Sequence, residues 1–187
     1  MDNILDVLAF KYNTDKRIGA QFHGYTKIYF DLFKDKRDKV DKVMEIGVWK
    51  GASLRMWRDY FPLAEVYGLD NHRELLFEAD RIKCFFTEQK DEAVLDETVK
   101  EIGTGFDLIV DDGSHEVNDQ ILSFKKFFPL IKAGGIYAIE DVFIENIEKV
   151  KEALTDLDYS IFASELDPRS YPGLQTYYYY NLVIIRK

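Results

Sequence analysis

Short apolar runs alternate with segments of helical periodicity along most of this sequence. The predicted strands are residues 43–48, 65–70, 82–86, 106–111 and 135–139, and the predicted helices that follow them are residues 53–60, 73–79, 92–102, 117–131 and 145–154. Such an alternation is typical of βαβ units, in which parallel strands form one sheet and helices cover both of its faces. The sequence therefore predicts an α/β fold.

Both ends of the chain depart from this alternation. Two helices are predicted before the first strand, so residues 1–40 are expected to form an N-terminal helical segment and residues 41–187 the core. Near the other end, the strand-like runs 159–163 and 177–185 are separated only by turn-forming residues, which predicts an antiparallel hairpin at the sheet edge. We expect a single domain, because chains of about 100 to 200 residues commonly form one.

Net charge, the length of apolar runs and cysteine content disfavour several classes of protein. The net charge of -9 disfavours nucleic acid, which binds to basic surfaces, although Lys11, Lys16, Arg17 or Lys27 could hold a small phosphorylated ligand. No apolar run approaches the roughly 18 to 20 residues that span a bilayer, and the acidic start does not resemble a secretory signal. Since Cys84 is the only cysteine, no intrachain disulfide can form, and we expect a cytoplasmic protein.

A turn with two glycines follows the first predicted strand. Glu45, Gly47 and Gly51 form the pattern E-x-G-x-x-x-G. Glycine allows the backbone to approach a ligand closely, but the same residues also suit a tight βα turn without a ligand. A dinucleotide site requires G-x-G-x-x-G, and Trp49 and Lys50 fill that interval here. NAD and FAD are therefore disfavoured.

Polar residues after the second and third predicted strands are candidates for binding an adenosyl group. Asp70, followed by Asn71, ends the second strand, where a carboxylate can accept hydrogen bonds from both ribose hydroxyls. Gln89 or Asp91, after the third strand, could contact the adenine amine. Both aspartates could instead cap the helices that follow, so the pattern leaves their roles open.

Acidic residues and a histidine follow the next two predicted strands. Asp111, Asp112 and His115 come after the fourth strand, and Glu140 and Asp141 after the fifth. Carboxylates that converge at one sheet edge need protons, basic partners or a cation to relieve their repulsion. Magnesium suits oxygen ligands, and histidine can act as a base at neutral pH. The alternative is that individual acids cap helices or lie in solvent.

These motifs resemble those of the small metal-dependent class I O-methyltransferases that act on sugar hydroxyls, such as the macrolide and rhamnosyl O-methyltransferases, a group that includes proteins named for cephalosporin hydroxylase. The shared elements are, in order, His23-Gly24-Tyr25-Thr26, Glu45-Ile46-Gly47-Val48, Asp111-Asp112-Gly113-Ser114-His115 and Ile139-Glu140-Asp141. The resemblance implies a Rossmann-like class I methyltransferase sheet, mostly parallel, with a C-terminal antiparallel hairpin.

The resemblance also implies an activity and its residues. It implies methyl transfer from S-adenosylmethionine to a sugar hydroxyl, with Asp112, Glu140 and Asp141 as Mg²⁺ ligands. His115, as general base, and Asp112 would be the catalytic residues, and Tyr25 or Thr26 would lie near the methionine part of the cofactor. The complete set of expected cofactor-binding residues is Tyr25, Thr26, Glu45, Gly47, Gly51, Asp70, Asn71, Gln89, Asp91 and Asp111.

Several alternatives stay open at this point. The sugar could be free, nucleotide-linked or attached to a polymer, and the protein could form a homo-oligomer. A catechol-type O-methyltransferase or a non-catalytic partner module that binds S-adenosylmethionine would share most of these motifs. Residues 167–175, with Arg169, Tyr171 and residues 177–180 nearby, could form a lid over a sugar or simply an aromatic-rich edge strand.

Overall fold

The computed structural model describes residues 3–166 and 180–187. The strands are β1 (Lys42–Ile46), β2 (Glu65–Asp70), β3 (Glu78–Ala79), β4 (Ile82–Phe86), β5 (Phe106–Asp111), β6 (Ile131–Phe143), β7 (Asp158–Ala163) and β8 (Tyr180–Arg186). The helices are α1 (Ile4–Tyr12), α2 (Tyr25–Phe33), α3 (Ala52–Tyr60), α4 (Glu92–Ile102), α5 (Val117–Phe127) and α6 (Ile147–Ala153). As predicted, α1 and α2 precede the first strand.

These strands form one sheet in the order β3-β4-β2-β1-β5-β6-β8-β7. β1 pairs parallel with β2 and β5, and β4 and β6 extend the parallel part on either side. β8 pairs antiparallel with both β6 and β7. The predicted mostly parallel sheet with a C-terminal antiparallel hairpin is therefore confirmed. The predicted turn at residues 167–173 and the predicted lid residues before Tyr180 lie outside the described residues.

Helices cover both faces of the sheet, as predicted. Successive residues of a strand point to opposite faces. On β1, Val43 belongs to an apolar cluster with side chains of α1, α2 and α3, whereas Met44 belongs to a cluster with side chains of α4, α5 and α6. No helix in the described parts of the chain combines the length and apolar character needed to cross a membrane.

Residues 73–79 do not form the predicted helix. They form a 3₁₀ turn, Arg73–Leu75, and the short strand β3, which pairs antiparallel with β4. Two helical turns are too short to be stable without strong packing, and Arg81, at φ 54°, reverses the chain between β3 and β4. This prediction was wrong because local periodicity does not report sheet pairing.

The predicted helix at residues 117–131 is also shorter than expected. α5 ends at Phe127, and a 3₁₀ turn, Phe128–Leu130, follows it. Pro129 in that turn has no backbone N–H to donate, which disfavours continuation of the α-helix.

Strand β6 continues past residue 139, where it was predicted to end. Its pairing with β8 contains one extra residue between Ile139 and Val142, which is a β-bulge. Glu140 and Asp141 therefore lie at a bulge inside the strand and not in a loop after it.

Candidate active site

A cavity of about 600 Å³ opens at the carboxyl edge of the parallel strands. Its walls come from the segments that follow β1, β2, β4 and β5 and from the loop after α1, namely residues 47–49, 70–72, 87–89, 112–115 and 13–16. Parallel α/β sheets bind ligands at this edge. The volume lies within the range of about 300 to 1,000 Å³ that is typical of sites for small molecules and cofactors.

Gly47 allows two chain segments to approach each other beside the cavity. Its φ is +96°, and a Cβ at this position would lie 2.1 Å from the backbone oxygen of Asp112. Gly51, at φ +69°, precedes α3, and a Cβ there would lie 2.5 Å from the Phe77 ring. Of the two glycines, Gly47 lines the cavity, whereas Gly51 serves the packing of the turn.

Asp70 lines the cavity and holds the turn after β1. One carboxylate oxygen accepts hydrogen bonds from the N–H groups of Val48, at 2.8 Å, and Trp49, at 3.2 Å. The other oxygen accepts from the N–H of His72, at 2.8 Å. Asn71 also lines the cavity, beside this carboxylate. The acid thus joins the ends of β1 and β2 on the side where a ribose was predicted.

Gln89 lines the cavity, but its amide bonds to protein groups. Its nitrogen donates to Asp111 at 2.9 Å and to Ser123 at 3.1 Å, and its oxygen accepts from the Ser114 N–H at 2.7 Å. Asp111 is fully buried, and burial raises its pKa to about 7. Asp91 accepts two backbone hydrogen bonds as the N-cap of α4. Thus Asp91 has the capping geometry that was left open as its alternative.

Lys16 is a charged residue that is only 1% exposed. Its Nζ lies 2.6 Å from Glu140 and 3.5 Å from Glu45, and it also donates to Asp112. The Tyr29 hydroxyl donates to the other oxygen of Glu140 at 2.7 Å. Burial opposes the charge of Lys16, but the three carboxylates outweigh burial and raise its pKa well above the usual value. A protein ammonium therefore neutralises part of the acidic charge.

From the sequence alone, Lys16 was only one of several local cations that could hold a small phosphorylated ligand. The residue lies in a loop without periodicity and contacts Asp112 and Glu140 across 96 and 124 positions. The sequence did contain one indication: converging acids need positive charge nearby, and a lysine ammonium can supply it as a metal ion can. Glu45, predicted to contact the cofactor, is fully buried in this cluster, and burial raises its pKa to about 7.

Helix α2 contacts both acids of the β6 bulge. The hydroxyl of Tyr25 donates to Asp141 at 2.8 Å, and Tyr29, one turn later, bonds to Glu140. In a regular strand these consecutive acids would point to opposite faces. The bulge and the left-handed backbone of Asp141, at φ 53°, bring both to the side of α2. Nδ1 of His23 lies 3.1 Å from the same oxygen of Asp141.

Tyr25 and Thr26 were predicted to lie near the methionine part of a cofactor. The Tyr25 hydroxyl is bonded to Asp141, and the fully buried Thr26 donates to Asp6 at 2.7 Å. Among the described residues, neither belongs to the wall of the cavity. Their contact with a cofactor stays a prediction.

Asp112, His115 and Asp141 form the donor cluster that faces the cavity. One possible ligand atom from each lies within 4.8 Å of those of the other two. His115 has a left-handed φ of 59°, and its buried Nδ1 has no hydrogen-bond partner in the described part of the chain. Oxygen and imidazole donors at this spacing suit a divalent cation. The predicted set of Asp112, Glu140 and Asp141 shares two of these residues.

A family described as a methyltransferase domain matches residues 44–142. The match runs from β1 to the bulge of β6, covers more than half of the 187 residues, and includes the glycine turn, Asp70 and the donor cluster. This chain belongs to the methyltransferase-domain family.

The methyltransferase domain is similar in sequence to several sugar O-methyltransferases. It is 37% identical over 146 residues to the mycinamicin VI 2''-O-methyltransferase of Micromonospora griseorubida, covering 74% of this chain and 36% of that protein. It is 34% identical over 142 residues to the 8-demethyl-8-alpha-L-rhamnosyl tetracenomycin-C 2'-O-methyltransferase of Streptomyces olivaceus, covering 72% and 36%. The chain thus spans 36% of the length of each of these relatives. The predicted resemblance to macrolide and rhamnosyl O-methyltransferases is confirmed.

The domain also resembles solved structures of the MycE methyltransferase from the mycinamycin biosynthetic pathway. One, in complex with Mg and SAH, has a TM-score of 0.73 and 28% identity, covering 98% of this chain and 54% of that chain. Another, in complex with Mg, SAH and mycinamycin VI, has a TM-score of 0.73 and 29% identity, covering 98% and 53%. This agreement confirms the predicted class I methyltransferase sheet.

Proposed function

We propose that this methyltransferase domain transfers the methyl group of S-adenosylmethionine to a sugar hydroxyl, with Mg²⁺ in the site. The observation that carries the proposal is one cavity lined both by Gly47 and Asp70 and by the cluster of Asp112, His115 and Asp141. Relatives named for sugar O-methylation, and MycE structures that hold Mg and SAH, support the same chemistry. The acceptor stays open among free, nucleotide-linked and polymer-attached sugars.

Asp70 is the residue proposed to bind the ribose of the cofactor. It accepts three backbone hydrogen bonds, from Val48, Trp49 and His72. An ionised carboxylate offers about four acceptor sites, so capacity remains for a ribose hydroxyl. Because the three backbone bonds fix the orientation of the carboxylate, little entropy is lost when the ribose binds.

Asp112 and Asp141 are the carboxylates proposed to hold Mg²⁺. Their oxygen donors are the type that this ion prefers. Glu140, the predicted third ligand, bonds through both oxygens to Lys16 and Tyr29 and would have to release one of them to bind the ion. When bound, the ion would polarise the acceptor oxygen and lower the pKa of its hydroxyl. Lys16 neutralises part of the charge on Glu140 and keeps the acids from repelling one another.

His115 is proposed to accept the proton of the sugar hydroxyl. A ring nitrogen lies within 4.8 Å of oxygens of both Asp112 and Asp141, and so beside the place where the hydroxyl would be held. The oxygen–carbon bond forms as the carbon–sulfur bond breaks, and the hydroxyl proton passes to the imidazole. The other residues of the cavity would have to hold the acceptor oxygen, the methyl carbon and the sulfur in line for transfer.

Separate measurements of binding and turnover test this function. Calorimetry with S-adenosylmethionine is expected to show binding, and mass spectrometry to show methylation of glycosides. Methylation of catechols but not of glycosides would replace the sugar with a phenol acceptor. Cofactor binding without transfer to any acceptor would indicate a non-catalytic module instead.

Metal binding by two variants tests the assignment of ligand and base. Glu140→Gln is expected to weaken binding of Mn²⁺, measured by electron paramagnetic resonance, by at least about 10-fold. His115→Asn is expected to bind Mn²⁺ and S-adenosylmethionine like the wild type and to lose turnover. If His115→Asn loses Mn²⁺ while Glu140→Gln keeps it, His115 is the third ligand and another group is the base.

A further inference from the structure

Trp49 exposes 68% of its surface at the wall of the cavity. The other tryptophan, Trp57, is fully buried in the core. An indole left in water forgoes the free energy of burial, roughly 25 cal/mol per Å² of apolar surface. Ligand pockets are lined mainly by apolar and aromatic side chains, so an indole exposed at the wall of a cavity is a candidate for contact with a ligand.

Backbone strain is concentrated around the same cavity. Six non-glycine residues of the described chain have a left-handed φ, and four of them line the cavity: Asn13, Trp49, His115 and Asp141. The φ of Trp49 is 45°. This conformation costs about 1–2 kcal/mol for a residue with a Cβ, and glycine would adopt it freely. The loop keeps a strained tryptophan, which points to a role for its side chain.

The backbone of Trp49 is bonded directly to the proposed ribose-binding acid. Its N–H donates to Asp70 at 3.2 Å. In S-adenosylmethionine the sulfonium is attached to C5′ of the ribose, so a ribose held by Asp70 brings the positive sulfur to the loop that carries the indole. Lys50 Nζ lies 5.7 Å from the centre of the same ring, so the indole already lies near one cation.

We propose that the indole of Trp49 contacts the sulfonium of bound S-adenosylmethionine and makes the domain prefer this cofactor to neutral S-adenosylhomocysteine. This inference rests on the proposed function. Aromatic faces attract cations, and tryptophan does so most strongly. Because S-adenosylhomocysteine has lost the charge, the same contact binds the product less tightly and favours its release after transfer.

Calorimetric titration with both cofactor forms tests the contact. Trp49→Leu keeps an apolar side chain with a Cβ but has no aromatic face. It is expected to weaken binding of S-adenosylmethionine about 2- to 5-fold more than binding of S-adenosylhomocysteine, the lower part of the cation–π range, because much of the ring is exposed. Trp49→Phe is expected to retain most of the preference. Leu63→Ala, which changes an apolar residue that is 63% exposed, is the control and should alter neither affinity.

The outcomes separate this contact from other roles of Trp49. Equal loss of both affinities in Trp49→Leu would show an apolar wall and overturn the proposal. Unchanged affinities with a raised KM for the acceptor would assign the indole to the sugar and also overturn it. If the wild-type protein binds neither cofactor form, the proposed function itself fails, which is distinct from a failure of Trp49 to discriminate.

Discussion

Lys16→Met would replace the lysine with an unbranched apolar side chain one heavy atom shorter and remove its charge. In the structure, the ammonium of Lys16 lies 2.6 Å from Glu140 and 3.5 Å from Glu45 and also contacts Asp112. At an effective dielectric constant of about 20, each such attraction is on the order of 5 kcal/mol before the cost of desolvation. Removing one partner of a buried ion pair typically costs about 3–5 kcal/mol, and we expect Lys16→Met to destabilise the fold by that amount.

Thermal and chemical denaturation both measure this loss. For a domain of this size, each kcal/mol corresponds to about 2–4 °C in Tm, so Lys16→Met should unfold roughly 6–20 °C below the wild type. Lys11→Met is the matched control, because Lys11 pairs with Asp59 at 3.0 Å but is mostly exposed. That variant should unfold at the wild-type denaturant midpoint.

A double variant makes the test sharper. In the double variant, Lys16→Met leaves the acids without their cation and Glu140→Gln removes one of those negative charges. Part of the lost stability should therefore return. If Lys16→Met unfolds at the same midpoint as Lys11→Met, the buried ammonium does not stabilise the fold. If the second substitution destabilises the protein further, Glu140 does not depend on the ammonium, which also contradicts the prediction.

Two further predictions concern buried groups beside the cavity. The pKa of Asp111 is raised by burial from its usual 3.8 to about 7, so the stabilisation from its protonated form is complete below about pH 4 and is lost as the pH rises through about 7. The wild-type protein should therefore lose on the order of 4 kcal/mol of unfolding free energy between pH 4 and pH 8, as measured by denaturation curves, and Asp111→Asn should not show this loss. The same pH profile in both proteins would contradict the raised pKa. Gly47→Ala should cost roughly 2–4 kcal/mol and weaken cofactor binding, because its Cβ would lie 2.1 Å from a backbone oxygen. Gly134→Ala, at φ +78° with nothing within 4 Å, should cost only backbone strain, about 1–2 kcal/mol, and equal losses in the two alanine variants would argue against the close approach at Gly47.

The central sheet could be predicted because its strands are short apolar runs bounded by polar residues. β5, with six buried residues in succession, has the pattern expected of a parallel strand covered on both faces. Asp70 and Asp112 could be placed at one edge because carboxyl ends of parallel strands coincide there. These inferences need only local pattern and one topological rule.

Contacts that arise from tertiary structure could not be predicted in the same way. Lys16 enters the acidic cluster from a loop whose position depends on the packing of α1 and α2. β3 has two exposed residues and exists only because β4 offers an edge to pair with. The bulge in β6 depends on its register with β8 and leaves no mark in the alternation of residues. As a result, the sequence predicted that acids converge at this edge but not that Lys16 would neutralise part of their charge.

The extra residue in β6 also limits how the domain can change. Deleting either residue between Ile139 and Val142 would restore regular pairing with β8 and would leave one acid, in place of two, on the side of α2. The hydroxyls of Tyr25 and Tyr29, which bond to Asp141 and Glu140, would then have a single carboxylate between them. The number of residues in the β6 bulge is therefore as constrained as their identity. Insertions or deletions should be better tolerated in the connecting loops than in this bulge.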